Sequence, residues 1–172
     1  MVKSTKRYIP DVRNIREINL PNIPDDLLKK INFNYDEYLS KWNERDDGQS
    51  VYMLSDSFNE ELNQWGKENI CDSIYYEFQI IRGDTDIHRD HDPWNESPIE
   101  YNNYGLPRIK FVYLLESGGD NVKTEFFDDE QNLTDSYVMQ KYIWYMLRVE
   151  NWHRVIGIEP NKIRFAVVGH IF

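Results

Sequence analysis

Cysteine is nearly absent. Cys71 is the single thiol in 172 residues, so no disulfide can form within the chain, and the expectation is a reducing, cytoplasmic setting. Long apolar runs are missing too: nothing approaches the roughly 20 residues that a membrane span requires. The opening stretch MVKSTKRYIPDVRN is basic but has no apolar h-region, so no secretory leader is expected. There is no internal repeat and no low-complexity tract. Positive charge is in deficit, with 20 Lys and Arg against 30 Asp and Glu and a formal net charge of −10. Such a field repels phosphate backbones, and the basic residues are scattered, so nucleic acid is a poor default partner.

What the chain does have is apolar and aromatic mass. A hydrophobic share of 40%, with 15% aromatics and 12 tyrosines, argues for a folded, β-rich globule. The length suits one domain spanning 1–172. We read 1–73 as an N-terminal arm and helices, and 74–172 as a β core. Around Pro10, Pro21 and Pro24 the first residues form an extended arm with one edge strand. Pro24 and the following acids favour a helix start. A second helix is predicted at SFNEELNQWGKEN, with Ser57 and Glu60 as a capping box, Phe58, Leu62 and Trp65 at helical spacing, and Gly66 as the stop.

From Ile74 the pattern changes to short β runs. SIYYEFQIIR, RIKFVYLLE, KTEFFDD, KYIWYMLRVE and KIRFAVVGHIF are each bounded by turn-forming residues. Antiparallel strands after N-terminal helices imply a sandwich or barrel with helices on one face. Residues 92–107, DPWNESPIEYNNYGLP, form a long loop, and such loops are more often functional than idle. Trp94, Tyr101 and Tyr104 make it a candidate substrate lid.

Four histidines, at 88, 91, 153 and 170, carry the candidate chemistry. His88 and Asp90 form His-x-Asp directly after a strand and its turn. Chance alone places an Asp two positions after some histidine in roughly one such chain in three, so the motif by itself is weak. Far downstream, His153 follows a strong strand, the turn GIEPNK comes next, and a further strand carries Arg164. A hairpin of that length can set both on one wall of a barrel. Alternation sorts the last strand into Arg164, Ala166 and Val168 on one face and Ile163, Phe165 and Val167 on the other. A charge mid-strand in an apolar run needs an anion or an exit to water.

The order His-x-Asp, distant His, then Arg on the next strand resembles the Fe(II)/2-oxoglutarate-dependent oxygenases. RIKFVYLLESGGDNVKTEFFDD is similar to the prolyl-4-hydroxylase-like branch, with its Arg-led strand, Tyr-Leu pair, Gly-Gly turn and Thr-x-Phe strand. The resemblance covers 74–172. It implies a double-stranded β-helix (jelly-roll, cupin-like) with His88, Asp90 and His153 binding Fe(II). Arg164 would hold the 5-carboxylate of 2-oxoglutarate, assisted by Tyr113, whose alternative is a core aromatic. The implied activity is hydroxylation with O2 as oxidant, succinate and CO2 as co-products and ascorbate as a candidate reductant. The substrate would be a small molecule, an amino acid or a peptide or protein side chain. Asp90 separates this pattern from the related halogenases, which carry a small residue there. The approach RGDTDI is shorter than the Gly-rich one usual in that branch, so no substrate carries over.

Alternatives stay open: a non-catalytic domain, or a cupin-like metal-binding protein that does not use 2-oxoglutarate. His91 is expected to face away from a metal bound by its neighbours, His170 to be packed or at the surface, Arg154 to lie at the surface or behind the site, and Trp144 and Trp152 in the core.

Overall fold

The computed structural model describes residues 14–30, 51–54, 59–72, 74–90 and 109–171; of 51–54, 59, 74, 75, 170 and 171 it describes the backbone alone. Among the described residues, two helices, α1 at 25–30 and α2 at Asn59–Asn69, accompany the strands. The strands are β1 Ile15–Glu17, β2 Val51–Leu54, β3 Ile74–Ile81, β4 Ile109–Ser117 and β5 Lys123–Phe127. They continue with β6 Leu133–Tyr137, β7 Trp144–Arg148, β8 Trp152–Ile156 and β9 Arg164–Ile171.

All described pairings are antiparallel. One sheet has the order β1-β7-β4-β9-β3-β2 and the other β6-β5-β8. The smaller sheet gains a rung beside β8: the Thr85 amide donates to the Val155 carbonyl (2.8 Å), and His88 and His153 exchange amide–carbonyl bonds (2.9 and 2.8 Å). From β3 the chain crosses to that rung, returns to β4, forms β5 and β6, and then alternates between sheets through β7, β8 and β9. This is the jelly-roll, or double-stranded β-helix. The 1–73 stretch does more than support it, since β1 and β2 form the edges of the larger sheet.

Period-two alternation sorts the apolar residues into two layers. Tyr76, Phe78, Ile80, Tyr113, Leu115, Trp144, Phe165 and Val167 face outward and pack with Leu62 of α2 and with Ile23. Val112, Leu114, Phe126, Tyr145, Leu147, Ala166 and Val168 fill the space between the sheets with Met139. A third group, Ile81, Val122 and Val155, with Ile158 against it, plugs one end of the barrel.

Several expectations need correcting. Gly66 does not stop α2, which runs on to Asn69. A Cβ there would lie 2.0 Å from the Tyr76 ring, so the glycine serves close approach of helix and sheet. His153 follows the strand β7, as expected, and itself lies within the next one, β8, while Arg164 opens β9 rather than standing in its middle. Their strands belong to opposite sheets, so the two residues stand on opposite walls of the barrel instead of sharing a hairpin wall. The polar LTDSY segment forms the exposed edge strand β6, which its composition concealed. Ser57, Phe58, His91 and the 92–107 loop lie outside the described residues, as does the side chain of His170.

Candidate metal centre

Three side chains converge at the rung between 85–90 and β8. One ligand atom from each of His88, Asp90 and His153 lies within 4.8 Å of the others. Asp90 Oδ1 is 3.5 Å from His88 Nε2 and 3.5 Å from His153 Nε2. The paired backbones of His88 and His153 are the cause, because directly opposed residues on adjacent strands project to the same side. Their rings stand with centroids 4.5 Å apart. Asp90, two residues on from His88, returns to the same face.

Both imidazoles are aimed by backbone. The Nδ1 of His88 is 2.8 Å from the Asp86 carbonyl oxygen, and that of His153 is 2.9 Å from the Asn151 carbonyl oxygen. A carbonyl only accepts, so Nδ1–H must donate, which turns the Nε2 of each ring toward Asp90; a ring that has lost its Nε2 proton offers a lone pair there. A dication with ligand bonds of about 2.0–2.2 Å holds adjacent ligands about 3 Å apart. Two imidazole nitrogens, each 3.5 Å from one carboxylate oxygen, with all three ligand atoms within 4.8 Å of one another, therefore fit a single ion after a modest closing of the cluster.

The electrostatics of the metal-free site run the same way. Burial alone would push the Asp90 carboxyl up; hydrogen bonds from His153 and His88 and the charge of Lys110 outweigh it and hold the group well below the usual carboxylate range. His88 is pushed up, chiefly by its hydrogen bond to Asp90 and against the effect of burial. Lys110, on β4, forms an ion pair with the other Asp90 oxygen, Oδ2. Composition did not single out Lys110. Alternation puts it in one row with Val112 and Leu114, and the fold shows that this row faces inward.

Arg164 shares the barrel interior. It is 4% exposed and lies on the face of Ala166 and Val168, as its alternation predicts. One Nη donates to the Met139 sulfur at 2.8 Å, and among the described residues Nε has no partner. Burial pushes its pKa down to about 10, which leaves it charged at neutral pH. Thr124 of β5 also turns inward, 3.7 Å from the same sulfur. Arg164 pairs with Ile81 near the plugged end, whereas Lys110 pairs with His170 at the far end of β9. A guest reaching from the triad to Arg164 would therefore lie along the barrel. The register of β3 also turns Glu77 and Gln79 inward, opposite Val168 and Ala166. Neither figured among the expected site residues, although the alternation of YYEFQII contains the signal.

Tyr113 does not join them. It pairs with Val167, not with Ala166, so it lies on the outer face, 1% exposed, with its ring 4.9 Å from that of Trp144. The expectation that it assists Arg164 is corrected in favour of its alternative, a core aromatic. Trp144 is core as well, but Trp152 is only half-buried, with the Arg89 guanidinium 4.5 Å from its ring centroid. Arg154 pairs with Glu125 on the outer face of the smaller sheet.

No protein-family model matches the chain, and no curated protein matches it. Solved structures do. A prolyl-4-hydroxylase from Pseudomonas putida superposes with a TM-score of 0.52 at 11% identity, over 92% of this chain and 91% of that one. AviO1 from Streptomyces viridochromogenes Tue57 gives 0.55 at 10% identity, over 92% and 90%. EvdMO1 gives 0.56 at 11% identity, over 92% of this chain, which spans about half (47%) of that protein. At these identities the likeness is one of fold: the chain has the jelly-roll architecture of these proteins, built around a cluster of two histidines and an aspartate able to hold a metal ion.

Proposed function

We propose that this protein is an Fe(II)- and 2-oxoglutarate-dependent oxygenase that hydroxylates a small molecule, an amino acid or a peptide side chain. His88, Asp90 and His153 would hold the iron, and Arg164 would bind the distal carboxylate of 2-oxoglutarate. The observation that carries the reading is Arg164: a buried guanidinium, with no anion beside it among the described residues, inside the barrel that holds the triad. A charge so placed is costly unless an anion joins it, and a guanidinium fork suits a carboxylate. The name of the Pseudomonas putida neighbour, a prolyl-4-hydroxylase, agrees with hydroxylation.

Bound iron and 2-oxoglutarate would supply the oxidation, with one O2 consumed, one oxygen atom entering the substrate and the other leaving in succinate as CO2 is released. The chain's own residues bind, orient and exclude water. The Asp86 and Asn151 carbonyls hold both imidazoles in the tautomer that presents Nε2. Asp90 supplies the negative charge that partly balances a dication. Arg164 orients a dicarboxylate along the barrel, and Ile81, Val122 and Val155 close the end behind it against water.

The test is anaerobic titration of metal-free protein with Fe(II) and then 2-oxoglutarate, followed by succinate release in air. Binding of both with a weak visible charge-transfer band is expected, and His153→Ala should abolish it. Protein that binds Fe(II) but not 2-oxoglutarate would sink the oxygenase reading and leave a metal-binding jelly-roll.

A further inference from the structure

We propose that Lys110 is a positioning residue that confines Asp90 to holding the metal through a single oxygen. The inference rests on the metal-site reading above and assigns a role to a residue outside the triad and outside the carboxylate anchor.

The division of labour on Asp90 is the ground for it. Oδ1 is the oxygen equidistant, at 3.5 Å, from both histidine Nε2 atoms, and so the one turned to the metal position. Oδ2 is taken by the Lys110 ammonium. The lysine is not a loose surface arm: its side chain is 15% exposed, and its backbone is paired on one side with Leu147 of β7 and on the other with His170 of β9. Its inward direction follows from sharing a face with Val112 and Leu114.

A carboxylate left to itself offers a metal both oxygens. Chelation through both would fill one more coordination position, and a bidentate co-substrate plus O2 need three. An ammonium ion-paired with Oδ2 occupies that oxygen and draws the carboxylate edge away from the ion. It also places a positive charge near a dication, which lowers metal affinity. A lysine at this spot therefore trades affinity for open coordination positions, whereas an apolar residue would do the reverse.

The test uses wild-type protein and the variants Lys110→Met and Lys110→Arg, loaded with Mn(II) as a redox-inert probe. Metal affinity is read by titration, and water-proton relaxation per bound ion reports exchangeable water positions. Lys110→Met should bind Mn(II) at least as tightly as wild type, with relaxation per ion lower by about a third, as one of three open positions closes. Lys110→Arg, which keeps a cation on Oδ2, should restore the wild-type value. Lys110→Ala carries the same expectation as Lys110→Met and replaces it if that variant does not fold. Unchanged relaxation in the uncharged variants overturns the inference, and so does a folded variant that loses the metal, which would make Lys110 part of the scaffold. Wild-type protein that binds no Mn(II) overturns the triad reading itself, a result told apart by needing no variant.

Discussion

Arg164 sits where a charge is hardest to keep. Its guanidinium is enclosed by the plugged end of the barrel and touches a sulfur atom, a weak acceptor. Replacing an isolated buried ion by an apolar side chain of similar reach is often neutral or stabilising. Arg164→Met should therefore make the metal-free, ligand-free protein more stable by about 1–3 kcal/mol while 2-oxoglutarate binding falls at least about a hundredfold. Urea denaturation without ligands and a binding titration measure the two halves. A variant less stable than wild type would mean that the guanidinium already has an anionic partner in the free protein.

Elements hold such residues in place through backbone more than through side chains, and this divides what the sequence revealed from what it hid. The alternation of KIRFAVVGHIF placed Arg164 on the inward face, because one apolar row had to meet Leu62 and the other the opposite sheet. The same rule cannot tell which face of RIKFVYLLE looks inward, as both carry large apolar residues, so it offers no check on the role that the resemblance implies for Tyr113, which lies outside. The opposition of His88 and His153 depends on which strands pair, a non-local fact that no local pattern contains. Gly66 belongs here as well. Helix propensity favours alanine by about 1 kcal/mol, yet a Cβ would meet the buried Tyr76 ring at 2.0 Å. Gly66→Ala should destabilise the fold by about 1–3 kcal/mol, since overpacking outweighs propensity. Chemical denaturation decides it, and a gain in stability would show that α2 can lift off the sheet freely.

At the scale of the whole molecule, proton and metal compete for the same site with opposite consequences. His88 holds its proton past its ordinary 6.5 because of Asp90, so that pairing stabilises the metal-free fold below 6.5 and is lost as pH rises through the raised value. Asp90 contributes above its ordinary 3.8 and loses that contribution as pH falls through its depressed value. Metal-free protein should thus lose stability as pH rises from 6.5 through the raised His88 value, while Mn(II) affinity rises over the same interval as the His88 proton is displaced. Urea midpoints with and without Mn(II) across that range test both slopes. Parallel slopes would show that His88 does not bind the ion.

The rung that joins Thr85 to Val155 closes a separation of 70 residues, and His88 meets His153 two rungs' breadth away on the same pair of segments. A slip of one residue in β8 would turn His153 outward and bring Trp152 or Arg154 to the inner face. Such a barrel could still be compact, but it could not bind the ion. Metal occupancy would then act as a proofreader of strand register, rewarding one alignment out of several that burial alone separates poorly.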